Sequence, residues 1–264
     1  MLLNPGTLCY AHATFLALAW LLDRWLASQA PASSVSRLLA KLRHRPRERG
    51  PLALRHQREW GEVTRRWGPL RLQHDAAEFL LHVLGLAADF PVFSPWRTLS
   101  GEGMLPAGDH GCNIISLDLV NTAGAHLHSL QDCITAWHEL QLHQHVLCDA
   151  GFVVFQLKRF SRNAFIRKDT SEIVLSSRVL MPCVCTPPER PWEQQVQWLE
   201  FELISCVMHV GASPQAGHYQ AVLYDTSGEG YLTDDGRPAR IAVAADSISK
   251  RCYLLFLRKC GLGA

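Results

Sequence analysis

The sequence predicts an α+β fold, and three observations carry the prediction. Apolar residues recur at helical spacing up to about Pro91, and mostly at strand spacing beyond it. Proline and glycine punctuate both regions, so the elements are short and bounded. Helices first and strands afterwards segregate the two element types, whereas strict alternation would indicate a parallel α/β sheet. A chain of 264 residues is long enough to bury a substantial core, as one large domain or two small ones.

Residues 11–27 read as the first helix. Phe15, Leu18, Leu22 and Trp25 recur at three- and four-residue steps, and Leu16, Leu21 and Leu26 widen the stripe so far that the helix should be buried. Pro31-Ala32-Ser33-Ser34 breaks it, and either serine can cap a short helix through Leu42. A basic Pro/Gly loop over 45–51 precedes a helix expected around 54–67, which Gly68-Pro69 ends. Gln73 to Leu84 starts another helix, with Asp75 and Glu78 near its positive end. Beyond Pro91, residues 113–120 alternate as a strand, and 129–142 read as a helix capped by Ser129. Further strands are expected at 152–157, 172–179, 201–210, 219–224, 231–232 and 252–257.

Composition narrows the classes. No apolar run reaches the roughly 18 residues that span a bilayer, because Asp23 and Arg24 end the longest. Phe15 to Leu22 followed by Ala27-Ser28-Gln29-Ala30 has something of a signal peptide, but no basic segment precedes it. Nine scattered cysteines do not form a disulfide framework and favour a reducing compartment, cytosol or nucleus. The net charge of +2 hides an asymmetry: residues 37–71 hold eleven Lys or Arg against three Glu. No zinc-bearing or aromatic-interleaved motif accompanies this basic stretch, so nucleic-acid binding is not expected. Oligomeric state is not legible.

Two stretches carry chemistry. In Asn4-Pro5-Gly6-Thr7-Leu8-Cys9-Tyr10 a turn delivers a cysteine to the start of the first helix. Uncapped N–H groups and the helix dipole favour a thiolate at such a place, although a cysteine beside an apolar helix is more often core. In His209 to Tyr219 a strand enters a Gly/Ser/Pro loop, and a second strand leaves it with Gly217-His218 at its first residues. His209 competes as the base but is equally a packed strand residue. Asp234-Asp235-Gly236 closes the next strand as if a hairpin returned a carboxylate to the imidazole, which would fix the ring's tautomer and orientation.

Taken together, these stretches resemble the boxes of the ubiquitin-specific proteases, the papain-like deubiquitinases. Asn4 to Tyr10 is similar to the cysteine box, and Gln73-His74-Asp75-Ala76-Ala77-Glu78-Phe79-Leu80 to the glutamine-aspartate box. Phe155-Gln156-Leu157-Lys158-Arg159-Phe160 resembles the buried strand ending in Lys-Arg-Phe. Gly217-His218-Tyr219, Asp234-Asp235 and Tyr253 to Arg258 match the histidine box and last strand. The resemblance implies Cys9 as nucleophile, His218 as base, Asp234 (or Asp235, which spacing does not separate) as orienting acid, and Asn4 as oxyanion donor. It implies that Gln73, Asp75, Gly217 and Tyr219 bind the glycine-ended tail of ubiquitin. It also implies a single catalytic domain over 1–264: a helical lobe to about residue 90, packed against an antiparallel β-rich lobe. The partner would be ubiquitin or a ubiquitinated protein, with no cofactor, no bound metal and no membrane.

The chain departs from the family in two places. The family usually carries two Cys-x-x-Cys pairs in a zinc-binding fingers insertion; this chain has none, so its fingers should be reduced. His126, His128 and Cys133, or His143, His145 and Cys148, are substitute zinc sets of unrecognised spacing. His12 stands where the family usually has Asn, either perturbing Cys9 electrostatically or simply occupying the first turn.

Overall fold

The computed structural model describes residues 6–43, 53–91, 93–94, 96–98, 114–140, 144–147, 150–161, 167–185, 189, 195–235, 237–241 and 248–261. Asn4, Gly236, His143 and Cys148 lie outside the described residues.

The predicted first helix is two: α1 (Cys9–Leu21) and α2 (Asp23–Ser28), with the break at Leu22. Different partners account for the break. α1 buries Phe15, Ala17 and Leu18 in the main core, while Asp23 at the start of α2 pairs with Arg43 at 2.7 Å, at the end of α3 (Ser34–Arg43). Ser33 caps α3, its Oγ accepting from Ser36 N at 3.0 Å. The 54–67 region divides into a 3₁₀ turn, Leu54–His56, and α4 (Arg58–Thr64). α5 (Ala76–Leu86) begins three residues later than the sequence suggests, because Asp75 is its N-cap.

The strands form one large sheet. Along its main path run β1 (Trp96–Thr98), β3 (Gln144–Leu147), β7 (Arg178–Cys185), β8 (Gln195–Ser213), β12 (Cys252–Lys259), β4 (Phe152–Leu157) and β2 (Ile115–Leu117). β8 pairs with β12 and is long enough to serve two further partners, β7 and β9. Residues 195–202 pair with β7, and most of the remainder with β9 (Ala216–Tyr224), which in turn pairs with β10 (Gly230–Asp234) and through it β11 (Arg237–Ile241). β5 (Phe160–Ser161) and β6 (Arg167–Lys168) form a separate ladder. Most pairings are antiparallel; β2 with β4 and β3 with β7 are parallel.

Strand alternation divides the core between the two faces of the sheet. Val154, Val207, Ala221, Leu254 and Phe256 pack against the helices α1, α3, α4 and α5. Val153, Phe155, Cys206, Val222, Leu255 and Leu257 face the other way, with α6 (Leu130–Leu140) covering them. Burial on both faces explains why β4 and β12 are apolar at nearly every position. Ser129 caps α6 as expected, in a reciprocal box: Asp132 N donates to Ser129 Oγ at 3.1 Å and Ser129 N to Asp132 Oδ2 at 3.0 Å.

One expected strand, 172–179, does not form as such. Val174 makes an isolated bridge to Ser129, and β7 starts only at Arg178. The backbone there has other partners. Ile173 N reaches Ser249 O at 3.3 Å, Val174 N reaches His128 O at 2.8 Å, and the carbonyls of Val174 and Ser177 accept from Leu130 N at 3.0 Å and Leu203 N at 2.8 Å. The expected loop after His209 is also shorter than the sequence suggests, since Ser213 pairs with Ala216 and leaves a two-residue turn.

Candidate active site

Cys9 is the first residue of α1 and is 3% exposed. The N-cap, Leu8, offers no side-chain hydrogen bond to the first N–H groups of the helix, which lie beside the thiol. α1 packs against β9, β8 and β12, and Cys9 meets His218 of the β8–β9 hairpin.

His218 lies on β9 opposite Val210 of β8, its side chain 37% exposed. Its Nε2 is 2.6 Å from Asp234 Oδ1 and 3.9 Å from Asp235 Oδ2. A carboxylate only accepts, so Nε2 carries the proton and Nδ1 is left for the cysteine. The side-chain hydrogen bond with Cys9 is the largest influence raising the His218 pKa, to about 9; Asp234 also raises it, and burial opposes both. Distance separates the two aspartates where spacing did not: Asp234 makes the hydrogen bond.

A hairpin brings the two carboxylates to one ring. The chain reverses between Asp234 and its pairing partner Arg237, and Asp235 has φ +46°. Two-residue hairpin turns favour positive φ, which Asp tolerates better than most side chains. Asp235 points elsewhere from Asp234: its Oδ1 lies 3.1 Å from Nδ1 of His12. His12 sits on the first turn of α1 and is buried there, 1% exposed.

The four residues expected to bind the tail fall into two groups. Gly217 is exposed and Gln73 partly so, and Gly217 N donates to Gln73 Oε1 at 3.2 Å. Asp75 and Tyr219 are buried. Asp75 Oδ1 accepts from Ala77 N at 2.7 Å and Glu78 N at 3.2 Å, while Oδ2 accepts from Tyr253 Oη at 2.7 Å. Tyr219 donates its hydroxyl to Pro214 O at 3.0 Å, bracing the hairpin turn. The Tyr253–Asp75 link joins the last strand to α5; nothing in local sequence pairs positions so far apart.

Gly217 has φ +155°, and a Cβ there would collide with Val210 O and lie 2.6 Å from His209 Nε2. Gly217→Ala is expected to cost about 1–3 kcal/mol, read by urea denaturation, and to lower activity by displacing His218.

His209 is not placed as the base. It is fully buried, with Lys168 Nζ donating to its carbonyl at 2.5 Å and lying 3.3 Å from its Nδ1. Burial, then the neighbouring ammonium, lower its pKa to about 4. His126, His128 and Cys133 are not gathered: among the described residues, the one group with ligand atoms within 4.8 Å of one another is His218, Asp234 and Asp235. Cys133 is buried in the core, its thiol pKa pushed up to about 12 by burial. No helix among the described residues is long and apolar enough to cross a membrane.

The fold and this arrangement are those of a papain-like cysteine hydrolase. The chain belongs to the ubiquitin carboxyl-terminal hydrolase family, whose model matches residues 126–257, half of its length. By family it is a cysteine-type ubiquitin hydrolase. Similar solved structures include the SAGA Ubp8/Sgf11/Sus1/Sgf73 DUB module bound to ubiquitin aldehyde, at a TM-score of 0.65 and 16% identity over 99% of this chain and 70% of that one. A SAGA DUB module bound to monoubiquitin gives 0.64 and 17%, over 99% and 69%. The yeast SAGA DUB module with an Sgf73 mutant gives 0.65 and 16%, over 99% and 66%. At these identities the likeness is one of fold. A comparison with curated proteins gives no match.

Proposed function

We propose that the chain is a thiol-dependent deubiquitinase that cleaves the bond after the C-terminal glycine of ubiquitin. The observation that carries this reading is one imidazole, His218, hydrogen-bonded both to Cys9 at a helix N-terminus and to Asp234 at 2.6 Å. Cys9 attacks the glycine carbonyl as a thiolate, forming a tetrahedral intermediate whose oxyanion meets backbone N–H groups at the start of α1. Asn4, five residues upstream, is the proposed side-chain donor to the same oxygen. The His218 imidazolium then protonates the departing amine, leaving ubiquitin as a thioester on Cys9. Neutral His218 next takes a proton from water, which attacks the thioester; collapse of the intermediate releases ubiquitin's terminal carboxylic acid, which ionises to solvent, and restores the Cys9 thiolate beside the His218 imidazolium.

The tail-binding roles divide with exposure. Gly217 and Gln73 would meet the extended tail, while Asp75 and Tyr219 would hold α5 and the hairpin in place around it. A channel with glycine in its wall reads the Gly-Gly end by excluding side chains. Residues 1–264 would act as one catalytic unit, the helices to about residue 90 facing the β-rich remainder, with fingers reduced and free of zinc, since the chain contains no Cys-x-x-Cys. The ubiquitin bound in two of the similar structures supports ubiquitin as the partner.

The test is hydrolysis of fluorogenic C-terminal amides of ubiquitin and of other ubiquitin-like modifiers. Release from ubiquitin alone is the expected result. Release from another modifier alone would move the substrate, and binding of ubiquitin without release would make the chain a binding module.

A further inference from the structure

We infer that His12 is a positioning residue for this active site, acting through Asp235 to hold the β10–β11 turn against the helix that carries Cys9. The inference rests on the proposed roles of Cys9, His218 and Asp234. His12 follows Cys9 by three residues on α1, one turn along the same face. Its Nδ1 lies 3.1 Å from Asp235 Oδ1, a contact spanning 223 positions of sequence. Among the described residues its Nε2 has no hydrogen-bond partner, so Asp235 is the polar contact that orients the ring.

The geometry around Asp235 gives this contact a consequence. Asp235 Oδ2 is 3.9 Å from the His218 Nε2 that Asp234 engages at 2.6 Å. Two adjacent carboxylates beside one nitrogen repel each other unless the second has a donor of its own. His12 supplies that donor, drawing Asp235 towards α1 and leaving Nε2 to Asp234. The backbone of Asp235 cooperates, since φ +46° is a conformation few side chains accept. His12 thereby ties the nucleophile's helix to the acid's hairpin and holds the Cys9–His218–Asp234 geometry without touching the substrate.

The test uses the full chain with His12→Ala, His12→Asn, Asp235→Ala and the double variant His12→Ala/Asp235→Ala, each checked for its melting temperature. In Asn the amide Nδ2 occupies the same place along the side chain as Nδ1 of His, so His12→Asn keeps a donor towards Asp235. On a fluorogenic ubiquitin amide, His12→Ala is expected to lower kcat by about tenfold or more with KM little changed. His12→Asn should restore most of that loss, and the double variant should be no slower than Asp235→Ala alone. An unchanged kcat in His12→Ala, losses that multiply in the double variant, or His12→Asn no better than His12→Ala would each overturn the inference. Iodoacetamide labelling of the Cys9 peptide, followed by mass spectrometry, needs no ubiquitin. If ubiquitin is not turned over at all, the proposed function fails, yet the same rank order of Cys9 labelling still supports the role of His12, and equal labelling rates overturn it.

Discussion

Replacing His218 with alanine is expected to lower turnover of a ubiquitin amide by about 10⁴-fold, with a melting temperature close to the parent's at about pH 9 and above. The imidazole is partly exposed, so its removal opens no core cavity, yet the thiol loses its proton acceptor and the leaving amine its proton donor. The pH profile adds a second readout. The His218 pKa is raised to about 9, chiefly by the Cys9 hydrogen bond and secondarily by Asp234, so His218 should stay protonated to about pH 9. Activity should fall on the alkaline side near that value, and Asp234→Ala should move the fall to lower pH. The sign for stability is the same. A histidine whose folded pKa lies above its ordinary 6.5 contributes stability fully present below that value and lost as pH rises through about 9. A melting temperature that drops between pH 6.5 and 9 in the parent, and less so in His218→Ala, is the expected observation.

Arg159→Met is expected to be the most destabilising substitution in the Lys-Arg-Phe stretch, at about 3–5 kcal/mol by denaturant titration. The guanidinium is 1% exposed. Its Nε donates to Cys252 O at 2.6 Å, Nη1 to Asp169 O at 3.1 Å and Ser171 O at 2.9 Å, and Nη2 to Ser249 O at 2.6 Å and Cys252 Sγ at 3.5 Å. Methionine keeps much of the apolar stem but leaves these buried carbonyls without their donor. Arg159→Lys should recover little, because a compact ammonium cannot span the same fork. Its neighbour provides the control. Lys158 is exposed and pairs with the exposed Asp118 at 2.9 Å, so Lys158→Ala should change stability by about 0–1 kcal/mol. Equal losses at the two positions would contradict this account of the motif.

The two cases mark how far the sequence alone could reach. Elements with sustained periodicity were legible: β4 runs over the predicted residues 152–157, and Ser129 caps α6. Cys9 at a helix start and Gly217-His218 on a hairpin were legible too, because turn, dipole and strand signals are local. What was not legible depends on three-dimensional convergence. Asp234 and Asp235 are equivalent by spacing, and the choice between them follows from the turn conformation at Asp235 and from His12 on the far side of the site. Asp75 reads as a solvated first-turn acid, but Tyr253 and two backbone N–H groups enclose it. Arg159 reads as one basic residue beside another until four carbonyls from distant segments meet on it. The 172–179 stretch misled for the same reason: its β-forming residues were real, but Ser249, His128 and Leu130 had claimed its backbone.

The central claim is that Cys9, activated by His218, attacks the carbonyl at the end of ubiquitin. The most direct measurement is reaction of the purified chain with ubiquitin carrying a C-terminal thiol-reactive electrophile, followed by peptide mapping. A single ubiquitin on Cys9, absent in Cys9→Ala and strongly slowed in His218→Ala, is the predicted result. No adduct despite measurable ubiquitin binding, or an adduct on one of the partly exposed cysteines, Cys185 or Cys260, would contradict it.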